Sequence, residues 1–151
     1  MKWISILVLM FLITQAHAQR EVQILRFDQI EARLRDPNET RFLVVNFWAT
    51  WCKPCVKELP YFEKLRAEYA PKGVDVVLLS VDFPEDFEKR VRTFVKERGL
   101  ESEVICINES NANSFIDRID PSWSGAIPAT LLVAPGGRYV AFHAGEFTYE
   151  S

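Results

Sequence analysis

Two cysteines separated by two residues, in Trp51-Cys52-Lys53-Pro54-Cys55, are the side chains of this 151-residue sequence best suited to chemistry. They stand between an apolar run, Phe42–Trp48, and a segment of helical periodicity that opens at Lys53. A cysteine at the start of a helix faces backbone N–H groups without helical partners, at the positive end of the helix dipole. Both favour the thiolate, and such settings lower a cysteine pKa from ~8.5 to ~3.5–7.5. The spacing puts both sulfurs on the first turn, close enough for a reducible disulfide. The predicted chemistry is thiol-disulfide exchange. Cys52, at the exposed end, attacks a substrate disulfide to form a mixed disulfide, and Cys55, one turn further in, resolves it. Lys53 either adds positive charge beside the nucleophile or is a solvated first-turn lysine. Pro54 fixes the turn and contributes no N–H.

Other chemistries fit less well. A zinc site needs a second Cys or His pair at suitable spacing, which is lacking, so no metal is expected. Haem attachment needs His directly after the second Cys, and position 56 is Val. A purely structural disulfide across two residues would remove little chain entropy.

The elements that must position the pair follow from hydropathy patterning. Residues 22–27 alternate as a short strand, and Asp28 with Glu31 reads as a capping box for a helix to about Arg35, with Ile30 and Leu34 on its apolar face. Pro37-Asn38 breaks it. Phe42–Trp48, interrupted only by Asn46, reads as a strand buried on both faces. Val56, Leu59, Phe62, Leu65 and Tyr69 predict a helix from Lys53, with Pro60 kinking it. Residues 74–81 read as a second buried strand, and 85–98 as an amphipathic helix with Phe87, Val91, Phe94 and Val95 inward, stopped by Gly99. The charge-rich residues 85–97 otherwise form a solvated face. A strand at Glu103–Ile107, a helix at Asn113–Ile119 and a hairpin of Ala129–Ala134 with 138–143 around Pro135-Gly136-Gly137 complete the pattern. The expectation is one α/β domain, a mixed central sheet flanked by helices.

Residues 1–18 read as a signal peptide. Lys2 gives a positive start, residues 4–13 are an almost unbroken apolar run, and Ala16-His17-Ala18 has the small-x-small form of a cleavage site. The run is shorter than the ~20 residues of a membrane span, and the alternative is an uncleaved anchor. No Cys follows to accept a lipid. The folded domain is then 19–151, exported to a compartment where disulfides persist. Hydrophobic residues at 48% and charged residues at 26% exclude disorder as the main state. A net charge of -3 argues against nucleic acid as a partner. Three cysteines are too few for a disulfide scaffold. Cys106, in an apolar strand, reads as a buried thiol, with intermolecular pairing as the alternative. His143 shows no partner in sequence and receives no role.

Val45-Asn46-Phe47-Trp48-Ala49-Thr50-Trp51-Cys52-Lys53-Pro54-Cys55, then Glu58-Leu59-Pro60, and downstream Ser124-Gly125-Ala126-Ile127-Pro128-Ala129-Thr130, resemble the thioredoxin superfamily. The closer resemblance is to its exported TlpA/ResA-like branch, over residues 22–145. It implies a thioredoxin-like fold with a cis Ile127–Pro128 peptide facing the cysteines. The Ile127 backbone would be free for strand-like pairing with substrate, and Pro128 would keep metals from the thiols. Thioredoxin itself carries a buried Asp at the position of Asn46, and Asn cannot ionise. In this branch a Glu three residues after the second Cys lies near the pair. Glu58 is therefore expected to be the acid/base partner of Cys55, raising cysteine pKa values when charged. The alternative is an exposed helix carboxylate.

The implied catalytic set is Cys52, Cys55, Glu58 and Pro128, with Trp51, Lys53, Pro54 and Ile127 binding substrate. Trp48 and Trp51 would form the apolar surround of the disulfide, with Trp51 touching partners. Trp123 would line a groove or pack in the core. The implied protein is an exported, monomeric thiol-disulfide oxidoreductase of the periplasm or extracytoplasmic space, needing no cofactor and not inserted in the membrane once its leader is removed. It would reduce disulfide-bearing proteins, such as apocytochromes during c-type cytochrome maturation, drawing electrons from a membrane-bound thiol donor. Direction depends on a reduction potential that sequence does not state. Two alternatives stand beside it. A copper or thiol chaperone without turnover would want cysteines three residues apart and a His near the cis-Pro loop, and a thiol peroxidase would want a lone Cys after Thr or Ser. Related folds continue past the last strand into a helix over one sheet face. Either Phe147 and Tyr149 lie over that face, or this is a shortened form lacking the C-terminal helix.

Overall fold

A computed structural model describes residues 21–148. The leader reading on residues 1–18 and the placement of Tyr149 fall outside the described residues. The elements run β1 (Gln23–Leu25), α1 (Phe27–Leu34), β2 (Phe42–Trp48), α2 (Lys53–Tyr69), β3 (Val74–Ser80), α3 (Arg92–Arg98), β4 (Glu103–Ile107), α4 (Asn113–Ile119), β5 (Ala129–Ala134) and β6 (Arg138–Ala144). They form one six-stranded sheet in the order β1-β4-β3-β2-β5-β6. The first four strands of that order are mutually parallel, while β5 and β6 are antiparallel to their neighbours.

Both sheet faces are covered, which is why β2 and β3 read as continuous apolar runs. Alternation along β2 sends Leu43, Val45 and Phe47 to a core closed by α1 and α4, with Phe27, Ile30, Phe115 and Trp123. On the opposite face Trp48, Val76 and Leu78 pack with Leu59 and Phe62 of α2 and with Val95 of α3. The cysteine pair belongs to this second core. Burial of each large side chain contributes about 1.5–3 kcal/mol, so the loop carrying the pair rests on a rigid base.

Two local readings are corrected. α1 starts at Phe27, not after Asp28. Gln29 Oε1 accepts from the Arg26 N–H at 3.0 Å and Glu109 Oε1 accepts from the Phe27 N–H at 3.0 Å. Asp28 lies in the first turn, and Glu31 instead pairs with Arg35 and Arg118. Residues 84–98 are not one α-helix but a 3-10 turn (Pro84–Asp86), a π-helical turn (Phe87–Val91) and then α3. Phe87, Val91 and Val95 are buried as expected, because spacings of four residues do not separate an α turn from a π turn. Gly99 does end the segment, at φ +62°.

Past β6, residues 145–148 turn back over the sheet face beside α2, and Phe147 is half-buried against that core. Among the described residues no helix follows β6, and none is long and apolar enough to cross a membrane.

Candidate active site

β2 ends at Trp48, and the chain turns through Ala49–Trp51 into α2, with Cys52 as its N-cap. Cys52 and Cys55 are joined as a disulfide, with Cα atoms 5.3 Å apart. The Cys55 N–H donates to Cys52 Sγ at 3.3 Å, so a first-turn backbone donor is aimed at the outer sulfur. This donor and the helix dipole stabilise a Cys52 thiolate once the pair is reduced. Cys52 is 6% exposed and Cys55 0%, which makes Cys52 the sulfur an incoming partner can reach. The Ile127–Pro128 peptide is cis, and the Ile127 carbonyl oxygen lies 3.9 Å from Cys52 Sγ. The two sequence segments of the resemblance, 75 residues apart at this contact, thus meet at the disulfide.

Glu58, one turn after Cys55, is wholly buried. Its Oε1 accepts from Asn46 Nδ2 at 2.9 Å and its Oε2 from the Phe147 N–H at 2.9 Å. Asn46 Nδ2 also lies 3.2 Å from Thr130 Oγ1, joining β2, β5 and α2 through one amide. Burial pushes the Glu58 carboxyl above the ordinary 4.5, against the Phe147 and Asn46 hydrogen bonds, which favour the anion. A buried carboxyl whose two forms are so opposed is suited to exchanging a proton.

The loop before Cys52 is held from β3's end. Buried Asp82 accepts from the Thr50 N–H at 3.0 Å, from Thr50 Oγ1 at 2.5 Å and from Ser80 Oγ at 2.7 Å. Asp82, Thr50 and Ser80 are not legible in the sequence, since nothing in their spacing signals that β3 ends beside β2. Thr130 carries no such signal either, and Phe147 reads in sequence only as a cover for the sheet.

The remaining expected residues divide plainly. Trp51 is half exposed at the rim, and Lys53 is exposed. Trp48 is fully buried, its ring 5.4 Å from Phe94, in the core that holds both cysteines. Trp123 is core, 4.7 Å from the Phe47 ring and donating from Nε1 to the Ala126 carbonyl at 2.8 Å. Cys106 is a buried free thiol pushed up to about 12 by desolvation, far from reactive. The His143 ring lies tilted against the Phe147 ring, with centroids 4.4 Å apart. Among the described residues no cluster of His, Cys, Asp and Glu could hold a metal ion.

Comparison with known proteins agrees with this architecture. The AhpC/TSA family model matches residues 15–141. The thiol-disulfide oxidoreductase ResA of Bacillus cereus is 36% identical over 107 residues, covering 70% of this chain and 56% of its own length. ResA of Halalkalibacterium halodurans is 32% identical over 110 residues, covering 73% and 57%. This chain therefore spans less than two thirds of the curated relatives it matches. Among solved structures, a thiol:disulfide interchange protein DsbE from Chlorobium tepidum, described as putative, superposes with a TM-score of 0.60 at 21% identity, covering 75% of this chain and 74% of that one. The fold is thioredoxin-like, and with the family model matched over residues 15–141 the chain belongs to the AhpC/TSA family.

Proposed function

We propose that this chain is an exported thiol-disulfide oxidoreductase that reduces disulfides in partner proteins through Cys52 and Cys55. The observation that carries the reading is the cysteine pair at the N-cap of α2, with the outer sulfur facing the Ile127 carbonyl. In the reduced protein Cys52 attacks as thiolate and forms a mixed disulfide, expelling one substrate thiolate, which takes up a proton. Cys55 then loses its proton and attacks Cys52 Sγ. The second substrate thiol leaves and the Cys52–Cys55 disulfide remains. Two electrons pass to the substrate, and a membrane-bound thiol donor returns them.

Glu58 is the acid/base partner of Cys55 in this scheme, and Ile127 and Pro128 hold the substrate strand. Trp51, Lys53 and Pro54 form the rim it meets. With only 6% of Cys52 exposed, the site suits an unfolded segment, such as an apocytochrome awaiting haem. The site does not suit a peroxidase built on a lone cysteine, because Trp51 precedes Cys52 and a resolving sulfur lies one turn away. Cys55→Ala, expressed in an exporting host, should accumulate mixed disulfides between Cys52 and extracytoplasmic proteins. Failure to trap any protein, together with tight stoichiometric copper binding by the wild type, would contradict the proposal.

A further inference from the structure

The sheet face beside α2 carries a groove of about 470 Å³, lined in part by Glu58, Phe62, Leu65, Thr130, Leu132 and Phe147. Residues 145–148 cross the end of this groove as a strap fastened at four points. The Gly145 N–H donates to the Pro128 carbonyl at 2.9 Å. Glu146 Oε1 accepts from Lys57 Nζ at 2.8 Å. The Phe147 N–H donates to Glu58 Oε2, and its ring packs at a tilt against His143. The strap thus links the cis-Pro loop, α2 and β6 around one buried carboxylate. Gly145 sits at φ +130°, a conformation that side-chain-bearing residues rarely adopt, so the strap leaves β6 by a turn that suits glycine.

We propose that this strap is a positioning element for Glu58, in which the Phe147 N–H fixes the carboxylate and the Phe147 ring controls its access to water. The wider consequence, that the strap sets the pH at which Cys55 can be deprotonated, rests on the acid/base reading of Glu58.

Both oxygens of Glu58 have N–H donors, one from β2 and one from the strap. Among the described residues the strap amide is the hydrogen-bond donor to Oε2, and Glu58 has no exposed surface, so that amide offsets burial there. The groups around the carboxyl are Asn46 from β2, Thr130 from β5, His143 from β6, Glu146 from the strap, and Cys55 and Lys57 from α2 itself. Lys64 and Glu68 stand further along the groove. Of these, Glu146 disfavours the anion and His143 favours it, and Lys57 compensates Glu146.

The test is the titration of the Glu58 carboxyl carbon by NMR in the oxidised protein, for wild type, Phe147→Ala and Phe147→Pro. Alanine keeps the N–H and removes the ring, so water reaches the carboxylate and its midpoint falls. Proline removes the ring and also the N–H, so its midpoint lies above that of the alanine variant, by about one pH unit. A separation between two variants that both lack the ring is not produced by simple loosening. Unchanged midpoints, or equal shifts in both variants, would overturn the proposal. The wild type supplies a second readout that needs no variant to fold. The Phe147 amide proton should titrate with the midpoint of the Glu58 carboxyl, and a flat amide response would overturn the proposal equally. Alkylation of the reduced cysteines against pH separates the two claims. A moved carboxyl beside unmoved cysteine profiles supports the strap and contradicts the acid/base role of Glu58.

Discussion

Glu58 holds opposing physical demands in one side chain. Burial favours its neutral form, while both hydrogen bonds it accepts favour the anion, and the balance lies above the ordinary 4.5. A carboxyl whose folded pKa exceeds its unfolded one binds its proton more tightly when folded. Its contribution to stability is complete below the unfolded value and is lost as pH rises through the folded one. Urea unfolding of the oxidised protein from pH 4 to 8 should therefore show a fall in stability, relative to Glu58→Gln, on passing upward through the carboxyl's folded pKa. A wild-type profile parallel to the variant's would contradict the burial argument. In the reduced protein the same substitution removes a negative charge near the pair, and thiolate absorbance should show cysteine pKa values lowered by about one unit. Unchanged values would remove Glu58 from the mechanism. The residue type and spacing of Glu58 were legible in the sequence through the family resemblance. Its cradle was not, because Asn46 and Phe147 lie 12 and 89 residues away in the chain, and only folding brings them together.

At the scale of elements, one pinned junction makes the site precise and a second holds the far end of β5. Asp82 ties the end of β3 to the turn before Cys52, with Thr50 and Ser80 as its partners. Asp82→Ala would leave the half-buried Thr50 N–H without its acceptor. We expect a loss of about 2–3 kcal/mol in urea unfolding, with slower formation of the mixed disulfide. A loss within about 0.5 kcal/mol, as for an ordinary surface change, would show that the clamp is not needed. The second junction is the β5–β6 turn, where Gly137 sits at φ +69° and an added Cβ would lie 2.3 Å from the Arg35 carbonyl carbon. Gly137→Ala should cost about 2 kcal/mol or more, since left-handed strain and backbone overlap add, and thermal unfolding measures it.

These elements also show what patterning can and cannot convey. β2, α2, β4, α4 and β5 lie where hydropathy placed them, because each buries a face whose period is readable. Patterning misplaces the start of α1 because its capping acceptors are Gln29 and the distant Glu109, while Asp28 offers a plausible local substitute. The π turn at Phe87–Val91 reads as α because inward residues four apart serve either geometry.

The whole molecule bears on the direction of the reaction. A dithiol pair is a strong oxidant when its reduced form is the more stable, so a reductase should be more stable when oxidised. Chemical unfolding of the two redox forms should place the oxidised form at the higher midpoint. A more stable reduced form would make the protein an oxidant and reverse the proposed direction. The bulk properties argue only by exclusion. A net charge of -3 disfavours nucleic acid, and the fold by itself assigns no substrate. What composition could not supply is the meeting of β2, α2 and the Pro128 loop around one disulfide, which follows from the order β3-β2-β5 at the centre of the sheet.

The most direct measurement of the central claim is disulfide transfer to an unfolded, disulfide-bearing peptide, resolved by mass spectrometry. Pre-reduced wild type should deliver two electrons per molecule and finish as the Cys52–Cys55 disulfide. Cys55→Ala should stop as a mixed disulfide at Cys52, and Cys52→Ala should exchange negligibly. Exchange by Cys52→Ala at the wild-type rate, or a mixed disulfide found at Cys106, would contradict the account.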